Sequence, residues 1–440
     1  MRIANRIREY IIEGQRSGKL HPGDKLPGYK DLCQKFNTSY ATVFNAVANF
    51  EKEGLVDRRN GVGLFLRGTE IMKVKLYICD DILTPELLAS LQEMADERKL
   101  YMDLKQQYNS ELFDSFPCES HAVISTDLVR GGQVMDYSRF PDYHKELSSF
   151  QKYTWSSNIG LPFQAFVYQM SVNPKLLAGY GFKKKISGSD FSWIKDFSEF
   201  AAANGKLQHD YWHTNYPSAA SRYLYLFMGM LLNEKGCMDK LFSGAFFNTK
   251  AGFRLIELLK CFSYDTKYEN FKDCACSFYS GSWLPVQYKH KFDLKDDELK
   301  IIPYMHNGRI IYYFRQTTLS TYTRDDLSDG EKHRLWELVK LIISRKFQLK
   351  MADTLGIISV RRDIGPRDYS WNTRPDFNYF IPQPGGLVIK GNIIKNYIIF
   401  VFSTLIEQAV FFGADPSQIL ELCDRKLKFK NNFDAKITEI

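Results

Sequence analysis

The chain has 440 residues, of which 44% are hydrophobic and 25% are charged, and its formal net charge is +8. This composition excludes a disordered or low-complexity chain, and the length allows more than one folded domain. Residues 1–68 carry 12 Lys and Arg against 7 Asp and Glu, a net of +5, whereas the other 372 residues account for only +3. A basic excess in one small segment is typical of a domain that binds nucleic acid phosphates.

The chain begins with the pattern of two short helices. Apolar side chains recur at helical spacing through residues 3–12, which predicts a first helix with Gly14 as its stop. The Pro- and Gly-containing segment 21–27 is a turn-rich connector, and it leads into a second helix predicted from Tyr29 to Phe36.

A third helix and a hairpin follow. Asn37-Thr38-Ser39 supplies capping side chains for a helix that buries Val43, Ala46, Val47 and Phe50 and ends at Gly54. Residues 55–66 predict two short strands around a basic, Gly-containing turn. Helices followed by such a hairpin indicate a winged helix-turn-helix.

The order and spacing of these pieces resemble the DNA-binding domain of GntR-type transcription regulators. The segments in register with the family pattern include Pro22 to Pro27, Thr42-Val43, Glu53 to Val56, Arg58-Arg59 and the glycines at 61 and 63. The resemblance implies a DNA-binding domain over residues 1–68 and double-stranded operator DNA as its partner. A homodimer is expected, because a two-fold dimer matches half-sites about one helical turn apart, roughly 34–36 Å.

The third helix departs from the family where bases are read. Tyr40 and Phe44 stand at positions that are usually basic in the family, so the operator sequence cannot be transferred from it. The side chains expected to face base edges are Ser39, Tyr40, Thr42 and Asn45. Phosphate contacts are expected from Lys30, Arg58 and Arg59, and Gly61 in the wing turn completes the predicted DNA-binding set.

The body, predicted over residues 73–440, opens with alternating strands and helices. Residues 73–81 predict a strand that ends in paired carboxylates, 85–99 an amphipathic helix, and 121–127 a buried strand that ends in polar residues. This alternation suggests an open α/β sheet, in which ligands bind at the carboxyl ends of the strands.

From residue 73 to about 430 the order of segments is similar to the type 1 extracellular solute-binding proteins, the maltose-binding-like class. Segments 159–177, 275–283 and 356–363 carry this resemblance, whereas 364–396 matches poorly. It implies two α/β lobes that clamp a ligand between them. The expected fold class is therefore α/β, with an N-terminal winged helix-turn-helix (α+β) followed by a two-lobed periplasmic-binding-protein-like α/β body.

The same resemblance implies a small-molecule effector, a sugar or short oligosaccharide held by aromatic faces and polar groups. Carried over position by position, the ligand contacts are Asp81, Ser125 and Asp127 in the first lobe, Gln164 and Phe166 at the hinge, and Tyr211, Trp212 and Trp283 in the second lobe. Because aromatic residues make up 15% of the chain, core packing is the alternative role for each ring.

Catalytic signals are weak in the sequence. We find no Gly-rich phosphate loop, no pair of metal-binding His at helical spacing and no nucleophile elbow, so no catalytic residue, cofactor or metal is expected. The loop His209–His213 is expected to contact ligand or to pack. One alternative is a PLP-dependent aminotransferase-like body, in which Ser192-Trp193-Ile194-Lys195 matches the Ser-x-x-Lys pattern but lies early. A small acyl-sensing or lactose-repressor-like effector domain is another alternative, although the 372 residues of the body are more than such a domain needs.

The expected location is the cytoplasm, with no membrane contact. Charged residues start the chain inside its first helix, so no secretory signal is expected. The apolar stretch 396–413 is interrupted by Glu407 and other polar residues and is expected to be a buried helix, and the scattered cysteines to be reduced thiols. The short link 68–72 lacks a Pro- or Ser-rich spacer, so it is expected to couple the winged domain to lobe closure.

Overall fold

The fold is described from a computed structural model. It covers residues 3–52, 55–59, 61–67, 71–78, 83–106, 116–117, 120–126, 129, 131–154, 156–203, 227, 229–234, 247–260, 275–289, 291–324, 327–390, 396–427 and 437–439. The chain divides into two compact units. Unit 1 comprises residues 1–146, 157–161 and 319–347, and unit 2 comprises 147–156, 162–318 and 348–440.

The first part of unit 1 consists of the three predicted helices and a small antiparallel sheet, in which a short strand from the predicted connector 21–27 joins the predicted hairpin. Its elements are α1 (Ile3–Arg16), β1 (Lys25–Leu26), α2 (Tyr29–Phe36), α3 (Tyr40–Lys52), β2 (Val56–Arg59) and β3 (Gly63–Leu66). The sheet has the strand order β1-β3-β2, and β2 and β3 form the wing hairpin. One face of each helix packs with the hairpin into a single core, which includes Ile7, Ile11, Leu32, Phe36, Val43, Val47, Phe50, Leu55 and Leu64.

Gly14 does not end the first helix, and this expectation was wrong. The helix continues to Arg16, and Gly14 is buried inside its last turns. A Cβ atom at Gly14 would lie 2.5 Å from Cδ1 of Leu20, where the chain folds back on the helix. The glycine therefore provides room for close packing, and the two further residues place Arg16 at the end of the helix.

The elements of the body follow in chain order. They are β4 (Met72–Tyr77), α4 (Pro85–Glu97), β5 (Met102–Gln106), β6 (Ala122–Ser125), β7 (Gln133–Val134), α5 (Tyr143–Leu147), β8 (Leu161–Val172), α6 (Pro174–Gly179), α7 (Trp193–Ala203), α8 (Lys250–Leu259), β9 (Cys276–Gly281), α9 (Leu284–Gln287), β10 (Lys300–Ile302), β11 (Met305–His306), β12 (Arg309–Thr323), α10 (Asp329–Ile342), α11 (Arg345–Leu355), β13 (Ile358–Ser359), β14 (Leu387–Lys390), α12 (Asn396–Phe411), α13 (Pro416–Leu427) and β15 (Ile437–Glu439).

The body portion of unit 1 is a parallel α/β layer. Strand β4 pairs in parallel with both β5 and β6, and the last residues of β12 add an antiparallel strand beside β6. Helix α4 begins at an N-cap in which Thr84 accepts a hydrogen bond from the amide of Leu87. Its buried side chains, Leu87, Leu91, Met94 and Ala95, recur at helical spacing, as in the amphipathic helix predicted there.

Unit 2 is a mixed sheet covered by helices. Strand β8 is antiparallel to β9, β10 and β13, while β12 pairs in parallel with β14. Side chains from the strands and helices share one apolar core, which includes Met170, Trp193, Phe197, Phe227, Leu255, Tyr313, Phe402 and Leu420.

The apolar stretch near the C-terminus forms the helix α12, and within it Phe402, Ile406 and Ala409 are buried. Among the residues that the structure describes, no helix has the length and apolar character needed to cross a membrane. The cysteines Cys33, Cys276 and Cys423, which lie in the described part, are free thiols.

Candidate functional site

Helix α3 buries one face and exposes the other. Val43, Ala46, Val47 and Phe50 are buried in the core of the winged domain. Tyr40, Thr42 and Asn45, which are predicted to face base edges, are exposed on the other face together with Phe44. A helix held by its apolar face, with polar and aromatic groups on the outer face, is suited to entry into a DNA groove.

Ser39 caps this helix. Its hydroxyl accepts a hydrogen bond from the amide of Thr42 at 3.3 Å and lies 2.9 Å from the Thr42 hydroxyl. The cap satisfies one amide at the start of the helix, where backbone donors have no partner within the helix. The two hydroxyls predicted to face bases are thus hydrogen-bonded to each other.

The wing carries two exposed arginines beside α3. The Nε of Arg58 lies 3.8 Å from the carboxylate of Glu51, and its guanidinium is 5.8 Å from the ring centre of Phe44. Arg59 donates to Asp57 at 3.2 Å and lies 4.3 Å over the ring of Phe65. Exposed ion pairs of this kind contribute at most about 1 kcal/mol, so a phosphate can replace the carboxylate partner.

The wing turn contains Gly61, which has a φ of +75°. A residue with a Cβ atom rarely adopts this left-handed conformation, so the glycine permits the tight hairpin.

Lys30, the remaining residue of the predicted DNA-binding set, is exposed on α2. The structure therefore places the predicted DNA-binding residues on α2, at the start of α3 and on the wing, all of them in one domain.

The winged domain is fastened to the body within unit 1 by Arg16. The Nη2 of Arg16 lies 2.6 Å from a carboxylate oxygen of Asp96 on α4, and it also donates to the carbonyl of Met102 at 2.9 Å. Gln92 donates from its amide to the same carboxylate and the same carbonyl, and accepts a hydrogen bond from the amide of Leu104. Burial raises the pKa of the Asp96 carboxyl, and the nearby Arg16 partly offsets this rise.

Apolar contacts accompany this ion pair. Ile71 and Tyr101 from the body are buried in the same core cluster as the helices of the winged domain. The amide of Met72 donates to the carbonyl of Tyr101 at 3.0 Å, which ties the start of β4 to the turn before β5. We refer to Arg16, Gln92, Asp96 and Tyr101 as the attachment cluster.

Among the predicted ligand contacts, Ser125 and Gln164 are fully buried in strands. Ser125 is the last residue of β6 and lies opposite Ser320 of β12. Gln164, in β8, lies opposite Ser359 of β13. Phe166 is partly buried and packs against the core of unit 2, which is the packing alternative expected for an aromatic residue.

Trp283 is half-buried in the turn after β9, and two glycines leave room for its ring and its backbone. A Cβ atom at Gly281 would lie 2.3 Å from the indole Nε1 of Trp283, and one at Gly356 would lie 2.4 Å from its Cα. Its ring centre is 6.0 Å from that of Phe292. A ring held in this way can present a fixed face to a ligand at little cost in conformational entropy.

Asp81, Asp127, Tyr211 and Trp212 lie outside the described residues, as do His209 and His213. In the described part of the chain, no group of three or more His, Cys, Asp or Glu is arranged to hold a metal ion. Lys195, the lysine of the aminotransferase alternative, is exposed on α7 and lies 3.9 Å from Glu199. This solvated position differs from the enclosed pocket that a Schiff-base lysine needs.

The sequence of the N-terminal domain matches known regulators. Residues 2–66 match the family described as "Bacterial regulatory proteins, gntR family". The chain is 30% identical over 67 residues to the uncharacterized HTH-type transcriptional regulator YurK of Bacillus subtilis, which is 15% of this chain and 28% of YurK. It is 32% identical over 64 residues to the HTH-type transcriptional regulator Rv1152 of Mycobacterium tuberculosis, which is 14% of this chain and 53% of Rv1152.

Residues 2–66 form a GntR-type winged helix-turn-helix domain. The matches of this GntR-type domain extend over about a quarter to about half of the length of these curated relatives. These sequence matches therefore concern the DNA-binding domain. The relatives of the body come from the comparison of structures.

The body beside the GntR-type domain has the fold of two-lobed solute-binding proteins. The cyclic alpha-maltosyl-1,6-maltose binding protein of Arthrobacter globiformis superposes with a TM-score of 0.56 at 14% identity, covering 83% of this chain and all of that protein. The GacH receptor of Streptomyces glaucescens superposes with a TM-score of 0.55 at 12% identity, again over 83% of this chain and all of the other. The expected fold class, a winged helix-turn-helix followed by a two-lobed α/β body, is confirmed.

Sequence reasoning missed the attachment cluster and the aromatic residue of α2 that packs beside the exposed rings of α3. Arg16 lies beyond the predicted end of α1, and its partners lie about 80 residues away in sequence. The pairing has no local sequence signal. Tyr29, which joins Tyr40 and Phe44 on the surface of the GntR-type domain, was predicted only as the first residue of the second helix.

Proposed function

We propose that this protein is a sequence-specific, DNA-binding transcription regulator whose body binds a small ligand that controls it. The observation that carries the proposal is the exposed polar and aromatic face of α3 beside the cationic wing, in a GntR-type domain. We propose the domain division at 1–68 and 73–440, a cytoplasmic location and a homodimer on a two-fold symmetric operator.

The ligand that we propose is a sugar or short oligosaccharide. Support comes from the fold of the body, which it shares with proteins named for binding maltosyl and other oligosaccharides. Trp283 is a partly buried ring that packs closely over Gly281, and a partly exposed ring suits stacking on the apolar face of a pyranose. Ser125, Gln164 and Phe166 remain proposed contacts, together with Asp81, Asp127, Tyr211 and Trp212.

The proposal of DNA binding is tested with the full-length chain and a double-stranded pool that has a randomised centre. Repeated selection should enrich a sequence with two-fold symmetry, and sedimentation of the selected complex should show two chains per duplex. A pool that stays random after selection at low salt would exclude sequence-specific binding. A single chain per duplex would contradict the dimer and leave DNA binding in place.

The proposal of ligand binding is tested by melting the protein with sugars, amino acids, polyamines and pyridoxal phosphate in turn. A ligand at 100 times its dissociation constant stabilises the folded state by about 2.7 kcal/mol, which is readily seen in a melting curve. Stabilisation by an oligosaccharide supports the proposal. Stabilisation by pyridoxal phosphate alone, with the absorbance of a Schiff base, would support the aminotransferase alternative instead.

A further inference from the structure

Three aromatic rings form one patch on the surface of the winged domain, beside the exposed face of α3. The ring centres of Tyr29 and Tyr40 are 5.3 Å apart, those of Tyr29 and Phe44 are 5.9 Å apart, and those of Tyr40 and Phe44 are 6.4 Å apart. Tyr40 and Phe44 are exposed to 56% and 40%, although both are large and apolar. We refer to Tyr29, Tyr40 and Phe44 as the aromatic patch.

The patch is built from positions that the fold fixes. Tyr40 and Phe44 are four residues apart on α3, so they lie one above the other on the same face of the helix. Tyr29 begins α2 and is partly buried against the core of the winged domain. Its ring therefore packs between this core and the two exposed rings. Contiguous exposed apolar surface of this kind marks a site of interaction.

Charge around the patch indicates which partner it meets. Arg58 lies 5.8 Å from the ring centre of Phe44, and Arg59 and Lys30 are exposed in the same domain. An apolar surface with an arginine beside it, in a domain with further exposed cations, complements a DNA groove, in which phosphates flank the base edges. The apolar group that a base presents in the major groove is the C5-methyl of thymine.

We propose that the aromatic patch recognises thymine methyl groups in the major groove, and that Phe44 and Tyr29 belong to the specificity-determining surface beside Tyr40. This inference rests on the proposed DNA binding and adds the chemical class of base that the helix selects. The operator half-site should therefore contain thymines at fixed positions facing the start of α3.

The geometry favours contact with methyl groups over insertion between bases. The rings of Tyr40 and Phe44 are inclined by only 21° to each other, and Tyr29 is tilted by about the same amount relative to both, at 36° and 30°. They form a broad supported surface. Side chains that unstack bases are single apolar wedges that enter from the minor groove.

The test uses a duplex selected by the full-length protein, in which each thymine in turn is replaced by deoxyuridine. This exchange removes the methyl and keeps every hydrogen-bonding group of the base. At one or more thymines per half-site we expect the dissociation constant to rise about fourfold, the value for one buried methyl-sized group. The penalty should disappear in Phe44→Ala or Tyr40→Ala and persist in Phe44→Leu, which keeps an apolar side chain.

Phe412→Ala is the matched control, because Phe412 is a 72%-exposed aromatic residue in the body. It should keep the full deoxyuridine penalty, and melting of each variant should show that it is folded. Selection of a sequence in which no thymine responds to deoxyuridine would overturn the inference and leave DNA binding intact. A change of oligomeric state in Phe44→Ala, without a change in the deoxyuridine penalty, would assign the patch to protein contacts and also overturn it. Failure to select any sequence would remove both proposals.

Discussion

The guanidinium of Arg16 lies 2.6 Å from the carboxylate of Asp96, and this pair joins the last turn of the first helix of the winged domain to the first helix of the body. The same guanidinium donates to the carbonyl of Met102, so it is held by two groups from the body. Tyr101, beside this carbonyl, is buried in the core of the winged domain. The winged domain is therefore joined to this part of the body by side-chain contacts as well as by the covalent chain.

Replacing Arg16 with Ala is expected to weaken this attachment. The change leaves a half-buried carboxylate without its cation, which costs roughly 1–3 kcal/mol in the free energy of unfolding. Chemical denaturation measures this loss. Arg98→Ala is the matched control, because Arg98 lies 3.5 Å from Glu337 and is about half exposed. We expect less than about 1 kcal/mol for the control, and equal losses in the two variants would contradict the role of Arg16.

The cost of Arg16→Ala should depend on pH. Burial holds the pKa of Asp96 in the folded state above its ordinary value, and removal of Arg16 raises it further. A carboxyl with a raised folded pKa contributes stability that is fully present below its unfolded pKa, about 3.9, and is lost as the pH rises through the folded pKa. The difference in unfolding free energy between parent and variant should therefore be largest near pH 7 and smallest near pH 4. In the Asp96→Asn background this difference should vary much less with pH, because the carboxylate beside Arg16 is then the exposed Glu13, 4.0 Å away.

A flexible spacer inserted after Gly68 tests how the two parts communicate. If the short link 68–72 alone coupled the winged domain to lobe closure, as the sequence suggests, such a spacer would abolish the response of DNA binding to ligand. Because the attachment cluster also holds the winged domain, we now expect the spacer to leave part of the response, and the spacer combined with Arg16→Ala to remove it. Binding of ligand and binding of DNA should each persist in both variants. A full response in the combined variant would indicate another route, such as a change in oligomeric state.

The wing and the recognition helix should differ in what they contribute to binding. Arg58→Ala with Arg59→Ala is expected to weaken binding to all duplexes alike and to reduce the slope of log affinity against log salt by about one unit per lost phosphate contact. Asn45→Ala should instead change the preferred sequence, at roughly 1–3 kcal/mol per lost base contact, with little change in slope. Titrations of selected and random duplexes at several salt concentrations separate these effects. An Asn45 variant that retains its preference would mean that the helix docks differently.

Trp283→Ala is expected to weaken the ligand response and to leave DNA binding without ligand near that of the parent. Gly281→Ala should have a similar effect with the ring retained, since the new methyl would lie 2.3 Å from the indole nitrogen and displace the ring. Calorimetric titration of each variant with the oligosaccharide found in the melting screen measures its affinity for the ligand. Phe412→Ala, an exposed ring at the end of α12, is the control. If both the Trp283 and the Gly281 variants bind the oligosaccharide with the affinity of the parent, Trp283 does not belong to the ligand site.

The sequence by itself determined the winged domain almost completely. Helix α2 occupies the predicted residues 29–36, and the hairpin strands lie inside the predicted 55–66. Local signals suffice here, because caps, turn glycines and apolar periodicity all act within a few residues. The order of α/β segments likewise predicted the type of body, and the similarity of fold confirms it.

Tertiary structure alone decided the contacts that join distant segments. Arg16 meets Asp96 across 80 residues of sequence, and Tyr101 reaches the core of the winged domain from the body. The aromatic patch also depends on packing, because Tyr29 comes from a different helix than Tyr40 and Phe44. Periodicity shows which face of a helix is buried, whereas the partner of each exposed side chain depends on contacts between residues far apart in sequence, for which one sequence carries no local signal.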